Sequence, residues 1–256
     1  MTARLLGRVA VVTGAGQGVG EGIARRLAAE GAHVVVAARR AETGEPVTQA
    51  IVSAGGSAVC IETDVTDRAS VAACVRGAVE RFGALHIMVH NAFSGAVSHR
   101  LEDAELDRHW ERMSQTAVWG SFHCAQIASP HLAAAGSQGR LILVTSPSAM
   151  EGSANIPLYS PVKAAQRAMV KSLAREWGHH GITANCIAPV AASPALVSAF
   201  EQNPALRRAI EERTPLGRVG DITDDIGSVA LFLAGDDASF VTGQTIVCDG
   251  GSFLGL

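Results

Sequence analysis

The stretch VAVVTGAGQGVG, residues 9–20, decides the fold of this 256-residue chain. Its apolar start, residues 9–12, predicts a short buried strand, and Gly14, Gly18 and Gly20 mark a tight turn before a segment with helical periodicity. Glycines at such a turn allow backbone N–H groups at the helix N-terminus to approach a pyrophosphate. The alternative interpretation is a strand-to-helix turn that binds nothing.

The same alternation of a short apolar run and a longer helical stretch continues along the chain. Further strands are predicted at residues 34–38, 58–61, 87–90, 141–145 and 183–187, and helices at 23–29, 47–54, 71–82, about 102–134 and 160–177. Repeated βαβ units predict a parallel sheet with right-handed crossovers and helices on both faces. We therefore expect one α/β domain over residues 1–256, a doubly wound, Rossmann-like sheet with seven strands.

Residues 190–220 interrupt this pattern. They combine a Pro-, Ala- and Ser-rich loop with a short charged helix at 205–213 in an otherwise tightly wound chain. We interpret the segment as a lid or substrate loop. Its Ala, Leu and Val side chains, together with Phe200, suit an apolar or ring-bearing ketone.

Composition and charge exclude several classes of partner. The chain is 48% hydrophobic with a formal net charge of −3 and no basic stripe, so neither nucleic acid nor anionic lipid is expected to bind. The five cysteines lack CxxC spacing and the histidines lack metal-ligand spacing, so no disulfide framework or metal site is predicted. The first apolar run is cut short by Thr13-Gly14, so no signal or membrane segment is expected, and the expected location is cytoplasmic.

Tyr159 and Lys163 lie four residues apart in the stretch YSPVK, downstream of Ser146. This spacing places the phenol and the ammonium on one face of a helix. A unit charge about 4 Å away at an effective dielectric of about 20 is worth roughly 4 kcal/mol, enough to lower a phenol pKa by up to about three units. The spacing therefore predicts a tyrosine that exchanges a proton near neutral pH. Pro161 requires the helix to begin close to Tyr159.

Arg39 and Arg40 follow the second predicted strand, where an NAD site normally offers an acid to the ribose hydroxyls. The two guanidinium groups could instead neutralise a 2′-phosphate, which favours NADP(H) and leaves NAD(H) possible. The alternative is that both arginines are merely solvated. Asp64, after the third predicted strand, either accepts a hydrogen bond from the adenine amino group or caps the next helix.

In the order and spacing of its motifs, the chain resembles the short-chain dehydrogenase/reductase family over essentially its whole length. The motifs are TGAGQGVG at 13–20, Asp64, Asn91-Ala92, Ser146, Tyr159, Lys163, Pro189, PLGR at 215–218, TGQ at 242–244 and DGG at 249–251. The resemblance implies that Tyr159 is the general acid/base and that Lys163 lowers its pKa and holds the nicotinamide ribose. Ser146 would fix the substrate oxygen while hydride passes between NADP(H) and a ketone or secondary alcohol.

The resemblance also implies which residues contact the cofactor and the substrate. The implied cofactor-binding set is Gly14, Gln17, Gly18, Val19, Gly20, Arg39, Arg40, Asp64, Val65, Asn91, Ala92, Tyr159, Lys163, Pro189 and Ser193. The implied substrate pocket contains Phe93, Ser148 and Val190. Phe93 either shapes an apolar pocket or simply packs, Ser148 is an auxiliary contact or a loop residue, and His90 is interpreted as a hydrogen-bonded core histidine.

Ala117 departs from the family pattern, because that position usually carries the asparagine of the catalytic set. Ser114 and Ser121 share its helix face and could hold a proton-relay water, or the main-chain carbonyl suffices. We expect a slower enzyme; the alternative is a nucleotide-binding sensor or interaction protein with little or no turnover. By resemblance, a homodimer or homotetramer packed through the long helices is implied.

Overall fold

A seven-stranded parallel sheet organises the protein, of which a computed structural model describes residues 3–95, 100–154 and 156–253. The strands are β1 Val9–Thr13, β2 His33–Ala38, β3 Ser57–Glu62, β4 Ile87–His90, β5 Arg140–Val144, β6 Thr183–Pro189 and β7 Thr245–Cys248. Their order is β3-β2-β1-β4-β5-β6-β7, with every neighbouring pair parallel. This arrangement confirms the predicted doubly wound, Rossmann-like fold, in which the strand order reverses between β1 and β4.

Helices connect the strands and cover the sheet on both faces. They are α1 Gly18–Ala29, α2 Ala41–Ser53, α3 Arg68–Phe82, α4 Leu106–Met113, α5 Gly120–Ala134, α6 Ser148–Glu151, α7 Tyr159–Trp177, α8 Pro194–Gln202, α9 Pro204–Arg213 and α10 Ser228–Ala234. One buried apolar cluster joins the sheet to α1, α2 and α10, and a second joins it to α3, α5 and α7. Two such layers explain why the strands read as continuous apolar runs.

The structure differs from the sequence prediction in three elements. Seven strands were expected, but no position was predicted for the seventh, which is β7, Thr245–Cys248. The region predicted as one helix over about 102–134 is interrupted by a π-helical segment, Ser114–Trp119, between α4 and α5. Part of the predicted loop at 190–220 is helix α8, because Ser193 accepts a hydrogen bond from Leu196 N and Pro194 occupies the first turn.

Helix α1, which follows the glycine turn, packs closely against a second π-helical segment, Ile222–Gly227. This contact fixes the position of α1. A Cβ added to Gly22 would overlap the carbonyl group of Ile222, and one added to Gly227 would lie 2.7 Å from Arg26 Cβ. Both positions therefore require glycine because two backbones meet there.

We expect Gly22→Ala to lower the free energy of unfolding by about 1–3 kcal/mol, since the added methyl group forces two backbones apart. Gly178→Ala is the matched control, because an added Cβ there meets nothing within 4 Å and its φ is −56°. Urea denaturation of both variants checks the prediction. Equal unfolding midpoints for the two variants would show that the α1 contact does not require glycine.

Candidate active site

A cleft of about 970 Å³ opens beyond the carboxyl ends of the strands, at the point where the strand order reverses. It is lined by the sequence-predicted residues Gly14, Gln17, Gly18, Val19, Arg39, Arg40, Asp64, Val65, Asn91, Ala92, Phe93, Tyr159, Lys163, Pro189 and Ser193. Open α/β sheets bind ligands at this position, and the volume suits a cofactor-sized molecule. The structure does not place Gly20, Ser146, Ser148 or Val190 in the cleft wall.

The glycine turn leaves the N-terminus of α1 bare toward the cleft. Gly14 and Gly18 have φ values of +64° and +58°, and the N-cap residue Gln17 makes no side-chain cap hydrogen bond. The first N–H groups of α1 are thus free of a capping side chain, which fits the binding of a dinucleotide phosphate. Gly20 has another role, because a Cβ there would overlap the Asn91 amide and the Gly14 carbonyl oxygen.

Asn91 ties the glycine turn to strand β4. Its side-chain Nδ2 donates to the carbonyl oxygens of Thr13 and Gly14, both at 3.1 Å. In return, Thr13 Oγ1 accepts from the backbone N of Asn91 at 3.1 Å and of Ala92 at 3.2 Å. Asn91 and Thr13 therefore hold the ends of β1 and β4 together beneath the cleft.

His90 is a buried core histidine, as the sequence predicts. Its Nδ1 lies 3.1 Å from Thr13 Oγ1. Because the Thr13 oxygen already accepts two N–H groups, its own proton is the one directed to Nδ1, which assigns the ring proton to Nε2. Burial lowers the pKa of His90 to about 3, and the charge of Lys163 adds to this effect. A ring that stays neutral at physiological pH is no candidate for proton exchange in the cleft.

Two cationic residues follow β2, and one acidic residue ends the neighbouring strand β3. Arg39 and Arg40 are exposed in the cleft wall and form no ion pair within the described residues. Glu62 ends β3 opposite Ala38, and its Oε1 accepts from Ala41 N at 3.1 Å. This acid was not predicted from the sequence, because an acid was expected only at the end of β2, although neighbouring parallel strands end at the same edge.

Asp64 does not cap a helix, so that alternative is wrong. Its Oδ1 accepts from both the backbone N and the Oγ1 of Thr66, at 2.9 and 2.7 Å, while Asp67 caps α3 by accepting from Ala69 N. Asp64 remains in the wall of the cleft, where it can still accept from a ligand.

Helix α7 brings the predicted proton-transfer residues together. It begins at Tyr159 and carries Lys163 one turn later, so Pro161 falls in the first turn, where it is tolerated. The Lys163 Nζ lies 5.9 Å from the centroid of the Tyr159 ring and 5.1 Å from that of Phe93. The two rings meet edge to face at 5.1 Å, so Phe93 both packs on Tyr159 and lines the cleft.

The pKa of Tyr159 is raised, which contradicts the lowered value that the sequence spacing predicts. Burial of the phenol is the main cause, and a hydrogen bond with Ser146 offsets part of it. Lys163 is not among the causes of the shift; its Nζ donates to the carbonyl oxygen of Val144 at 2.7 Å and lies 5.9 Å from the centroid of the Tyr159 ring. Burial also lowers the pKa of Lys163 to about 8. Burial therefore keeps the phenol of Tyr159 protonated at pH 7 and makes the charge of Lys163 costly.

Ser146 and Ser148 contact each other at the start of α6. Their Oγ atoms are 2.9 Å apart, and Ser148 N donates to Ser146 Oγ at 3.3 Å. Ser148 is buried against Ser146 instead of in the cleft wall, so it supports a neighbouring hydroxyl. Val190 is likewise engaged through its backbone, accepting from Gly220 N and donating to Cys248 O.

Ala117 lies in the π-helical segment, and its carbonyl oxygen is already hydrogen-bonded. It accepts from Ser121 Oγ at 2.6 Å and from Gln166 Nε2 at 3.3 Å, and Gln166 also donates to Ser121 Oγ at 2.8 Å. Ser121 is thus committed to the backbone and not to a water. Ser114 Oγ is buried without a hydrogen-bond partner among the described residues. Gln166 was missed because nothing in the sequence pairs α7 with residue 117.

Several polar residues of the cleft wall were not singled out from the sequence. They are Thr43, Thr63, Thr66, Glu111, Arg112, Gln115, Thr116 and Thr145. Thr63 and Thr145 directly follow strands β3 and β5, so their position after a buried strand was the available signal. The others lie on helices or turns and carried no such signal.

Two kinds of feature are absent from residues 3–95, 100–154 and 156–253. Among these residues, no helix combines the length and the apolar character needed to cross a membrane. In the same part of the chain, no three His, Cys, Asp or Glu side chains are grouped as a metal ion would require.

Comparison with known proteins gives a consistent result. Residues 14–252 match a protein-family model described as enoyl-(acyl carrier protein) reductase. A cis-4-hydroxycyclohexanecarboxylate dehydrogenase of Sinomonas cyclohexanicum is 38% identical over 245 residues, which cover 95% of this chain and 96% of that protein.

Two solved structures are similar along nearly the whole chain. A gluconate 5-dehydrogenase from Burkholderia cenocepacia, in complex with NADP and tartrate, has a TM-score of 0.90 and 30% identity, covering 100% of this chain and 98% of that one. A 7α-hydroxysteroid dehydrogenase complexed with NADH and 7-oxo glycochenodeoxycholic acid has a TM-score of 0.89 and 32% identity, covering 98% and 96%. The similarity therefore spans both the sheet and the cleft.

We expect Lys163→Met to raise the free energy of unfolding at pH 7 by about 2 kcal/mol, because it removes a buried charge and sacrifices one hydrogen bond. Burial holds the native pKa of Lys163 at about 8, below its ordinary 10.5, so the unfolded chain binds more protons between these values. The stability of the wild type then rises with pH across this window. The advantage of the variant should accordingly shrink from pH 8 to pH 10.

Urea denaturation at pH 7 and pH 10 measures both effects, and Lys171→Met, at an exposed position of the same helix, is the control. A Lys163→Met protein less stable than wild type at pH 7 would contradict the assigned cost of the buried ammonium.

Proposed function

We propose that this chain, which belongs to the short-chain dehydrogenase/reductase family, transfers hydride between NADP(H) and a ketone or secondary alcohol. Its catalytic residues in this proposal are Tyr159, Lys163 and Ser146. The observation that carries the proposal is the position of Tyr159 and Lys163 on one face of α7, in the wall of the cleft that the glycine turn also lines. Titratable groups with shifted pKa values in a cleft are typical of functional sites.

Each residue has a distinct task in this chemistry. NADP(H), when bound, supplies or accepts the hydride. In reduction, Tyr159 gives its proton to the carbonyl oxygen, and Ser146, which lies beside the phenol just outside the lining of the cleft, hydrogen-bonds the same oxygen. The ammonium of Lys163, held by the Val144 carbonyl below the ring, favours the phenolate that remains. In oxidation the phenolate takes the proton of the alcohol.

The preference for NADP(H) depends on the end of strand β2. Arg39 and Arg40 offer two exposed guanidinium groups, while the Glu62 carboxylate accepts from the backbone N of Ala41. The two positive charges favour a 2′-phosphate, which accepts bidentate hydrogen bonds from arginine. Among the relatives, the gluconate dehydrogenase was solved with NADP and the hydroxysteroid dehydrogenase with NADH. The family alone therefore does not decide the cofactor, and the proposal relies on the arginines.

A ring-bearing ketone or secondary alcohol is the proposed substrate class. The Sinomonas relative is named for a substrate with a hydroxylated cyclohexane ring. The structure of the hydroxysteroid dehydrogenase was solved with a 7-oxo steroid. In this chain, Phe93 packs against Tyr159 and the segment at 190–220 supplies further apolar side chains. Apolar walls around one polar centre are usual for such ligands.

We retain the segment at 190–220 as a lid within a single domain. Helix α9 is joined to α6 by Arg213, whose Nη2 lies 3.0 and 3.1 Å from the two carboxylate oxygens of Glu151. At its other end, Pro194 lies over the glycine turn, 3.3 Å from where a Cβ of Gly18 would be. The segment thus reaches from the phosphate side of the cleft to the helix that follows Ser146.

Self-association and a cytoplasmic location complete the proposal. Trp110, Trp119 and Phe122 are exposed by 44%, 51% and 45% on α4, the π-helical segment and α5, and the last two rings meet at 6.0 Å. Exposed aromatic clusters of this kind mark interaction surfaces, so we propose a homodimer or homotetramer packed there. The five cysteines are all free thiols, which suits a reducing compartment.

We expect wild-type protein to oxidise NADPH with cyclic ketones and Tyr159→Phe to lose at least about 100-fold in kcat/KM, because the general acid is removed. NADPH binding, followed by fluorescence, should survive in the variant because the glycine turn is unchanged. A wild-type protein that binds NADPH without turnover would support the sensor alternative. Equal turnover by the two proteins would refute the role of Tyr159.

We expect the double change Arg39→Ala and Arg40→Ala to raise the KM for NADPH about tenfold or more and to leave the KM for NADH nearly unchanged, since only NADPH carries the 2′-phosphate. Arg76→Ala, which removes an exposed charge from α3, is the control. Steady-state kinetics with both nucleotides measures the effect. An equal change for the two nucleotides would rule out the assignment to the phosphate.

A further inference from the structure

The stretch Ser146-Pro147-Ser148 places a second hydroxyl against the one that the proposed chemistry uses. The two Oγ atoms are 2.9 Å apart, and the backbone N of Ser148 also donates to Ser146 Oγ at 3.3 Å. Pro147, with φ −56° and ψ −33°, adopts the φ that its ring imposes. The link between the two serines is therefore preorganised by the sequence.

The direction of the Ser146 proton follows from counting its hydrogen-bonding capacity. A serine hydroxyl has one proton and two acceptor lone pairs. If Ser148 Oγ donates to Ser146, both lone pairs are occupied, one by the N–H and one by the O–H of Ser148. The Ser146 proton is then left for a third oxygen. In the reverse arrangement that proton is used on Ser148 and is not available to a substrate.

The proposed chemistry distinguishes these two arrangements. Ser146 can hydrogen-bond the carbonyl oxygen of a substrate only by donating its own proton, because that oxygen is an acceptor. Ser148 must then be the donor across the 2.9 Å contact between the two hydroxyls. The side chain of Ser148 is 8% exposed, so bulk water does not readily replace it.

We infer that Ser148 is a positioning residue, which donates to Ser146 and thereby directs the Ser146 proton toward the phenolic oxygen of Tyr159 and the carbonyl oxygen of the substrate. The inference rests on the proposed function and extends it to a residue that does not touch substrate.

The short helix that carries Ser148 is held from two sides. Arg167 of α7 donates from Nη1 to the carbonyl oxygen of Ala149 at 3.1 Å. At the other end, Glu151 pairs with Arg213 of the proposed lid. The orientation of Ser148 is thus fixed both by the helix that bears Tyr159 and by the segment above the cleft.

The test compares Ser148→Ala with Ser148→Thr, which keeps the hydroxyl. We expect Ser148→Ala to lower kcat about tenfold and to leave the KM for NADPH unchanged, because the lost hydrogen bond acts on Ser146 and not on the cofactor. Ser148→Thr should recover most of the loss. A kcat for Ser148→Ala equal to that of wild type would overturn the inference, and so would an equal loss in both variants.

A second readout does not depend on turnover. Tyr159 is the only tyrosine of the chain, so ¹³C NMR of labelled tyrosine reports its ionisation alone. We expect Ser148→Ala to raise the pKa of Tyr159 by about half a unit to one unit, and Ser148→Thr to leave it at the wild-type value. An unchanged pKa in folded Ser148→Ala protein would refute the inference even if no substrate is turned over. Absence of wild-type turnover with the expected pKa change would instead refute only the proposed function.

Discussion

The burial of one ammonium group governs the site. Lys163 is 3% exposed, and its Nζ contacts a backbone carbonyl and two aromatic rings, with no ion pair within the described residues. A charge in such surroundings is costly unless an anion comes close. Two groups near it can become that anion: the phenol of Tyr159, one helical turn away, and the thiol of Cys186, whose pKa burial raises to about 12. The charge of Lys163 therefore stabilises a phenolate and destabilises other cations nearby. The lowered pKa of His90, caused first by burial and then by this charge, is an example.

The same constraint makes each charge of the pair costly by itself. Burial raises the pKa of Tyr159 and lowers that of Lys163, so each charge is unfavourable without the other. When both are charged, their attraction offsets part of the two desolvation costs. A bound nucleotide with a positively charged ring would add to this attraction. On this account the phenol becomes acidic in the assembled complex, and Ser146 and Ser148 contribute by directing one proton toward its oxygen.

Much of the fold could be predicted from the sequence because buried parallel strands read as uninterrupted apolar runs. Strand β7 escaped notice since it has four residues, and all of them are only partly buried. The π-helical segment Ser114–Trp119 escaped because one extra residue in a turn barely disturbs the apolar periodicity of a long helix. Residues of the glycine turn and of α7 were predictable because their chemistry depends on spacing within one element.

The remainder of the site depends on contacts between elements, which spacing does not encode. Glu62 reaches the end of β2 only because β3 lies beside it in register. The hydrogen bond of Lys163 to Val144 depends on how α7 packs on β5, and the burial that raises the pKa of Tyr159 likewise comes from packing between elements. The contact of Ser148 with Ser146 required the geometry of the proline between them.

The most direct test of the central claim is a ¹³C NMR titration of Tyr159, the single tyrosine, with and without saturating NADP⁺. The account predicts a pKa above the ordinary value of 10.0 in the protein by itself, and a fall of about one unit or more when NADP⁺ is bound. A pKa that is the same in both states would contradict it, because Tyr159 could then not exchange a proton at physiological pH.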